Sequence, residues 1–89
     1  MIVEFDKSFL KSLEKINDKL LLLRIEKTIS KLEKSSSITE IPSLKKLSGF
    51  KGYYRYRLGA YRIGIELISD NIIRLILVEH RKDIYDSFP

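Results

Sequence analysis

Arg55, Arg57 and Arg62 crowd into one short stretch of this chain, and Lys45, Lys46 and Lys51 come just before it. No acidic residue falls between Glu40 and Glu66. Arginine carries a planar fork of donors that grips a phosphate through two parallel hydrogen bonds, whereas lysine is the ordinary cation of a solvated surface. The two are unevenly shared. Residues 1–44 hold eight basic and seven acidic side chains, and seven of those eight are lysines; residues 45–89 hold nine basic against five acidic and include five of the six arginines. Such an arginine field suits a polyanion such as nucleic acid. The plainer alternative is a basic surface with no specific ligand.

Other chemistries are poorly provided for. With no cysteine, the 89 residues can form no disulfide, thiolate zinc site or cysteine nucleophile, and a single histidine excludes a multi-histidine metal cluster. No metal and no cofactor is expected. No run of 18 apolar residues exists to span a membrane, and the acidic, mixed N-terminus MIVEFDKSF does not read as a signal peptide. A cytoplasmic protein with one domain over residues 1–89 is expected.

The elements that must carry the arginines follow from periodicity. Ile2-Val3-Glu4-Phe5 reads as a strand, with Asp6 as the N-cap of a helix bearing Phe9, Leu10, Leu13 and Ile16. Asn17-Asp18 breaks it. A second helix is predicted from Lys19 to Lys34, with Leu22, Ile25, Ile29 and Leu32 as its main stripe and Leu21 alongside. From Ile38 to Gly52 a long connection is expected, anchored by Leu44 and Leu47, leaving Lys45 and Lys46 outward. Strands follow at Tyr53 to Leu58, Tyr61 to Ile68 and Ile72 to Glu79, then a tail or helical turn from His80. The sum is an α+β domain, two helices on one face of a mostly antiparallel four-stranded sheet.

Alternate side chains of a strand share a face, so Arg55 and Arg57 point together. A two-residue turn at Gly59-Ala60 sets Arg57 opposite Arg62 and Gly64 opposite Arg55, leaving open space beside Arg55. Like charges face to face destabilise a hairpin, and a bound phosphate resolves that conflict; guanidinium arms splayed into water are the alternative. The next hairpin has two possible registers. A two-residue Asp70-Asn71 turn pairs Ser69 with Ile72 and Arg62 with Glu79, which puts Arg81 on the arginine face. A three-residue turn pairs Glu66 with Arg74 and brings His80 there instead. Turn chemistry favours the first and apolar matching the second, and a slip of one residue reverses every side chain.

The stretch GYYRYRLGAYRIGIEL followed by VEHRKDIYDSF resembles the RelE/ParE superfamily of toxins from bacterial and archaeal toxin–antitoxin pairs, most strongly its RelE branch. The likeness covers the whole layout, and its most specific pieces are Tyr61-Arg62-Ile63 and His80-Arg81-Lys82-Asp83-Ile84-Tyr85. It implies a ribosome-dependent endoribonuclease that cuts messenger RNA in the ribosomal A site without metal, by attack of a ribose 2′-hydroxyl on the adjacent phosphorus. It also implies roles. Arg62 and Arg81 stabilise the phosphorane, Arg57 and Arg55 bind phosphate and acidify the 2′-hydroxyl, and Tyr85 stacks on the nucleotide or orients that hydroxyl. Where well-known members carry lysine, this chain has Arg55 and Arg57, which removes a proton-abstracting role there because arginine stays protonated. His80 is a candidate acid or base if the register lets it face the site, and Lys45, Lys46 and Lys51 would grip RNA. A small antitoxin that wraps the toxin is the implied partner, with Leu20 to Leu23 as candidate exposed apolar surface, and the toxin alone is expected to be monomeric. Two rival functions remain: a gyrase inhibitor of the ParE kind, and a non-catalytic module that binds RNA or protein.

Overall fold

A computed structural model describes every residue from Met1 to Pro89. In chain order it has β1 (Ile2–Phe5), α1 (Lys7–Glu14), α2 (Lys19–Lys34), a 3-10 turn at Ile38–Glu40, β2 (Leu44–Lys46), β3 (Tyr53–Leu58), β4 (Tyr61–Ser69), β5 (Ile72–His80) and α3 (Arg81–Ser87). The strands form one sheet in the order β1-β5-β4-β3-β2; β1 runs parallel to β5 and every other neighbour pair is antiparallel. The sheet therefore has five strands, not four. The extra one, β2, lies inside the expected connection, and pairing with β3 sets Leu44 opposite Tyr56 and Lys45 opposite Arg55. The polar tail forms a third helix, α3.

Both long helices start as the sequence predicts. Asp6 caps α1 by accepting from the Ser8 backbone N–H, and Asp18 caps α2 by accepting from Leu20 and Leu21. The Ser8 hydroxyl and N–H hold the Asp6 carboxyl below the usual carboxylate value. A lowered value in the folded state stabilises above the ordinary carboxylate range, and that contribution disappears as the pH falls through the lowered value. At the far end of α2, the Met1 ammonium donates to the carbonyls of Glu33 and Ser35, a cation placed where the helix dipole is negative.

The main core lies between these helices and one sheet face: Phe9, Leu21, Ile25, Leu32, Tyr56, Leu58, Ile63, Ile65, Ile73, Leu75 and Val78. The stripe on α2 is rotated from the expected one. Leu21, Ile25, Thr28 and Leu32 are its buried residues, while Leu22 and Ile29 are only half-buried. Thr28 is admitted because its hydroxyl donates back to the Arg24 carbonyl and spends its polarity within the helix. A smaller core of Leu47, Leu77, Ile84 and Phe88 sits on the opposite face, where α3 docks.

The β4–β5 hairpin contains both registers that the sequence allows. At the turn Ser69 faces Ile72; then Leu67 faces Ile73 and Glu66 faces Arg74; then Gly64 faces Leu77 and Arg62 faces Glu79. Two bulges separate these blocks, at Ile68 on β4 and at Ile76 on β5. The first lets the middle of the hairpin match its apolar residues after a tight turn. The second restores the original register, so Leu75 and Val78 both reach the main core. The same Ser8 hydroxyl lies within hydrogen-bonding reach of the carbonyl of the bulged Ile76, so its one proton serves either that carbonyl or the Asp6 carboxylate. Ser8→Ala is expected to lower stability by about 1 kcal/mol, the usual worth of one such bond, read by urea denaturation.

Candidate functional site

Alternation along β3 sends Tyr54, Tyr56 and Leu58 into or against the main core, and Arg55 and Arg57 to the opposite face. Gly59 sits at φ +60 while Ala60 has no positive φ, the pattern of a type II′ turn, and this fixes the register across the hairpin. Leu58 then faces Tyr61, Arg57 faces Arg62 and Arg55 faces Gly64. With Lys45 opposite Arg55 from β2, four cations occupy one patch of one face. They line a cleft of about 440 Å³ together with Tyr85 of α3 and a wall formed by Pro42, Ser43 and Leu44.

No carboxylate lines the cleft. Among the six arginines only Arg74 makes ion pairs, with Glu4 at 3.0 Å and Glu66 at 3.9 Å. The cleft cations therefore keep their full field for a ligand. Arg57 and Arg62 relieve their mutual repulsion through the backbone, since the Arg62 guanidinium donates to the Gly59 and Tyr61 carbonyls, each at 2.8 Å. Arg55 is held differently. Its guanidinium carbon lies 4.6 Å from the centre of the Tyr85 ring, a cation–π contact, and one of its nitrogens reaches the Phe88 carbonyl at 3.5 Å. Its Nε is buried and donates to nothing, an open donor beside the cleft.

Five of the residues predicted from sequence meet here: Arg55, Arg57, Arg62, Lys45 and Tyr85. The rest do not. Lys46 and Lys51 line a neighbouring depression with Ser48, Gly49 and Phe50. His80 stands apart on the helix-bearing face, where it faces Tyr61 across the ladder, packs edge-on against that ring at 5.5 Å, and caps α3 by accepting from the Lys82 backbone N–H. The bulge at Ile76 is the reason, since it restores the register in which Arg62 faces Glu79. Arg81 follows at the first position of α3 and is exposed; its backbone N–H donates to the Ala60 carbonyl at 2.8 Å. It flanks the turn that joins Arg57 to Arg62 without lining the cleft, and it lies one helical turn before Tyr85.

Three features escaped the sequence. The space beside Arg55 and Gly64 is not open: Phe88 fills it. Arg24, the lone arginine of the first half, is carried by α2 to the turn, where an added Cβ at Gly59 would lie 3.2 Å from its guanidinium. Segment 42–44 becomes a wall of the cleft because β2 pairs there. As a binding surface the cleft offers cationic donors and one exposed ring, a set that suits a phosphodiester and a base.

Known proteins share this fold. Residues 3–85 match a family model described as the ParE toxin of the type II toxin–antitoxin system parDE. The chain is 43% identical to Toxin RelE3 of Methanocaldococcus jannaschii, with all of both chains covered. It superposes on the crystal structure of a RelB–RelE antitoxin–toxin complex from Methanococcus jannaschii with a TM-score of 0.79 and 38% identity, covering 97% of this chain and 99% of that one. An archaeal RelE–RelB complex from Pyrococcus horikoshii gives a TM-score of 0.71 at 25% identity, covering 92% and 96%.

Proposed function

We propose, because the chain belongs to the RelE-like toxins of type II toxin–antitoxin systems, that it is an endoribonuclease acting on messenger RNA in the ribosomal A site. The observation that carries this reading is the cleft itself: Lys45, Arg55, Arg57, Arg62 and Tyr85 around one space, with no acid among the lining residues. In the proposed reaction the ribose 2′-oxygen forms a bond to the neighbouring phosphorus as its proton passes to water. The bond from phosphorus to the 5′-oxygen breaks, and that oxygen takes up a proton from water. The products are a 2′,3′-cyclic phosphate and a 5′-hydroxyl. Charge grows on the non-bridging oxygens during the step, and fixed cationic donors aimed there stabilise it. Arg62 and Arg57 are assigned to those oxygens, and Arg81, exposed beside the Gly59-Ala60 turn and outside the cleft lining, is assigned a supporting charge. Arg55 and Lys45 hold the flanking phosphate, and Tyr85 stacks on a base.

The test adds purified protein to translating ribosomes and maps messenger ends by primer extension. Cuts that appear only with ribosomes, and persist with EDTA at a magnesium level that keeps ribosomes intact, support the reading. Intact messenger sinks it. The ParE description of the matching family model favours one other function, inhibition of DNA gyrase, and a supercoiling assay on the same preparation reads it directly.

Two further results are expected. Binding of a single-stranded RNA should fall with salt at a log–log slope of about −3, since four cleft cations each contribute about −0.7. Arg57→Ala should reduce that slope by about one such unit, read by fluorescence anisotropy. His80→Asn keeps a side-chain acceptor for the α3 cap, and its cleavage rate should match that of the unmodified protein.

The solved RelB–RelE complexes point to a cognate antitoxin as partner here too. Leu20 and Leu23 on α2 are exposed at 67% and 53%, which leaves apolar surface for such a partner to cover. Co-purification of the toxin with the product of a neighbouring reading frame is the check.

A further inference from the structure

Tyr85 is 68% exposed, and nothing in its own short helix fixes its ring over Arg55. The element that does so lies three residues on. Phe88 is 3% exposed and packs with Leu47, Leu77 and Ile84 in the smaller core. Its ring rests on Gly64, where an added Cβ would come within 2.7 Å of it, far closer than real Cβ contacts. Tyr53 packs edge-on with the same ring, ring centres 5.6 Å apart. The Phe88 backbone is engaged as well: its N–H donates to the Ile84 carbonyl and ends α3, and its carbonyl accepts from Arg55.

We propose that Phe88, seated on Gly64, is the positioning residue of the cleft, holding α3 down so that Tyr85 and Arg55 face a bound nucleotide as a preformed pair. This rests on the nuclease reading above. The physical case is one of matched sizes. A glycine at the centre of a strand packs nothing of its own and weakens the strand, and here it admits a ring close against the backbone. That seat lies on the sheet position opposite Arg55, so one contact sets both members of the pair. Without it, α3 keeps only Ile84 as a buried anchor of its own, and a helix of seven residues has little stability by itself.

Two measurements test the proposal. The first is NMR of the Arg55 side chain, whose protons lie under the Tyr85 ring and should shift upfield in the unmodified protein. The shift should vanish in Phe88→Ala as it does in Tyr85→Ala, and return in Phe88→Leu, which refills the apolar seat. Gly64→Ala, whose Cβ evicts the ring, should lose the shift equally, and the Gly64→Ala/Phe88→Ala double variant should match Phe88→Ala alone. The second is single-turnover cleavage on ribosomes. Phe88→Ala should slow it about tenfold, inside the range that one stacked base is worth. On a Tyr85→Ala background it should slow it no further. A persistent upfield shift in Phe88→Ala and Gly64→Ala, or additive rate losses with Tyr85→Ala, overturns the proposal. If Phe88→Ala does not fold, Gly64→Ala and Phe88→Leu decide alone. If the unmodified protein cuts no RNA, the nuclease reading fails while the NMR arm still decides the positioning role.

Discussion

Arg62→Ala is expected to slow messenger cleavage by about 100- to 1,000-fold, the usual loss when one preorganised donor is removed from a developing anionic charge. Arg62 faces Arg57 across the hairpin, and no carboxylate lines the cleft they share. Two like charges held opposite each other are a standing cost to the fold, and the arrangement makes sense if a multiply charged anion bridges them. Of the two bonds from Arg62 to the turn carbonyls one is exposed and one part-buried, and their loss is offset by the end of the repulsion with Arg57, so the net cost in stability should be about 1 kcal/mol. Thermal unfolding and circular dichroism of the variant should therefore stay close to those of the unmodified protein while growth arrest in an expressing host is relieved. Arg62→Lys keeps the charge and loses the fork, and should recover RNA affinity better than rate. Arg81→Ala, on the other flank of the turn, should also relieve growth arrest. If Arg62→Ala and Arg81→Ala both remain fully toxic, the assignment of the site fails.

How much of this arrangement was legible in the sequence depends on how local each contact is. Pairing of Arg57 with Arg62 needed only one strand period and one glycine turn, and it formed as expected. The β4–β5 register was ambiguous because two preferences conflicted, tight-turn chemistry at Asp70-Asn71 and apolar matching in the middle. The protein satisfies both by inserting Ile68 and Ile76 as bulges, and no single register describes the result. The carbonyl of the second bulge meets the hydroxyl of Ser8, far away in sequence, so periodicity within the hairpin held no sign of that contact. Strand β2 is three residues long, too short to show alternation, and exists because β3 offers an edge. The α3 helix left a fainter trace: Ile84 and Phe88 are spaced one helical turn apart in a polar tail. That Phe88 needed a glycine to sit on is a contact between residues 24 positions apart, which only the fold brings together. The cationic cleft was thus readable because its register is local, whereas the device that covers it was not.

Tyr85→Ala is expected to slow cleavage by about 5- to 150-fold, the spread that corresponds to 1–3 kcal/mol for one stacked base. The ring is 68% exposed, too open to be an anchor of the core, and its one resolved partner is the Arg55 guanidinium at 4.6 Å. Ile84 and Phe88 anchor α3, so removing the Tyr85 ring should leave the fold and its unfolding midpoint nearly unchanged. Tyr85→Phe separates two roles. It keeps the stacking face and the contact with Arg55 but lacks the hydroxyl, so a rate near that of the unmodified protein means the ring acts as a platform. A loss as large as that of Tyr85→Ala means the hydroxyl orients the 2′-hydroxyl or its proton. The platform is favoured because the ring already presents a face to a cation, and a base entering the cleft can lie against the same pair. Both variants keep Arg55, Arg57 and Arg62, so the salt dependence of RNA binding should not change in either. A lowered salt slope in Tyr85→Ala would mean that the ring helps to hold the phosphate-binding cations, and that its contribution is electrostatic rather than one of stacking.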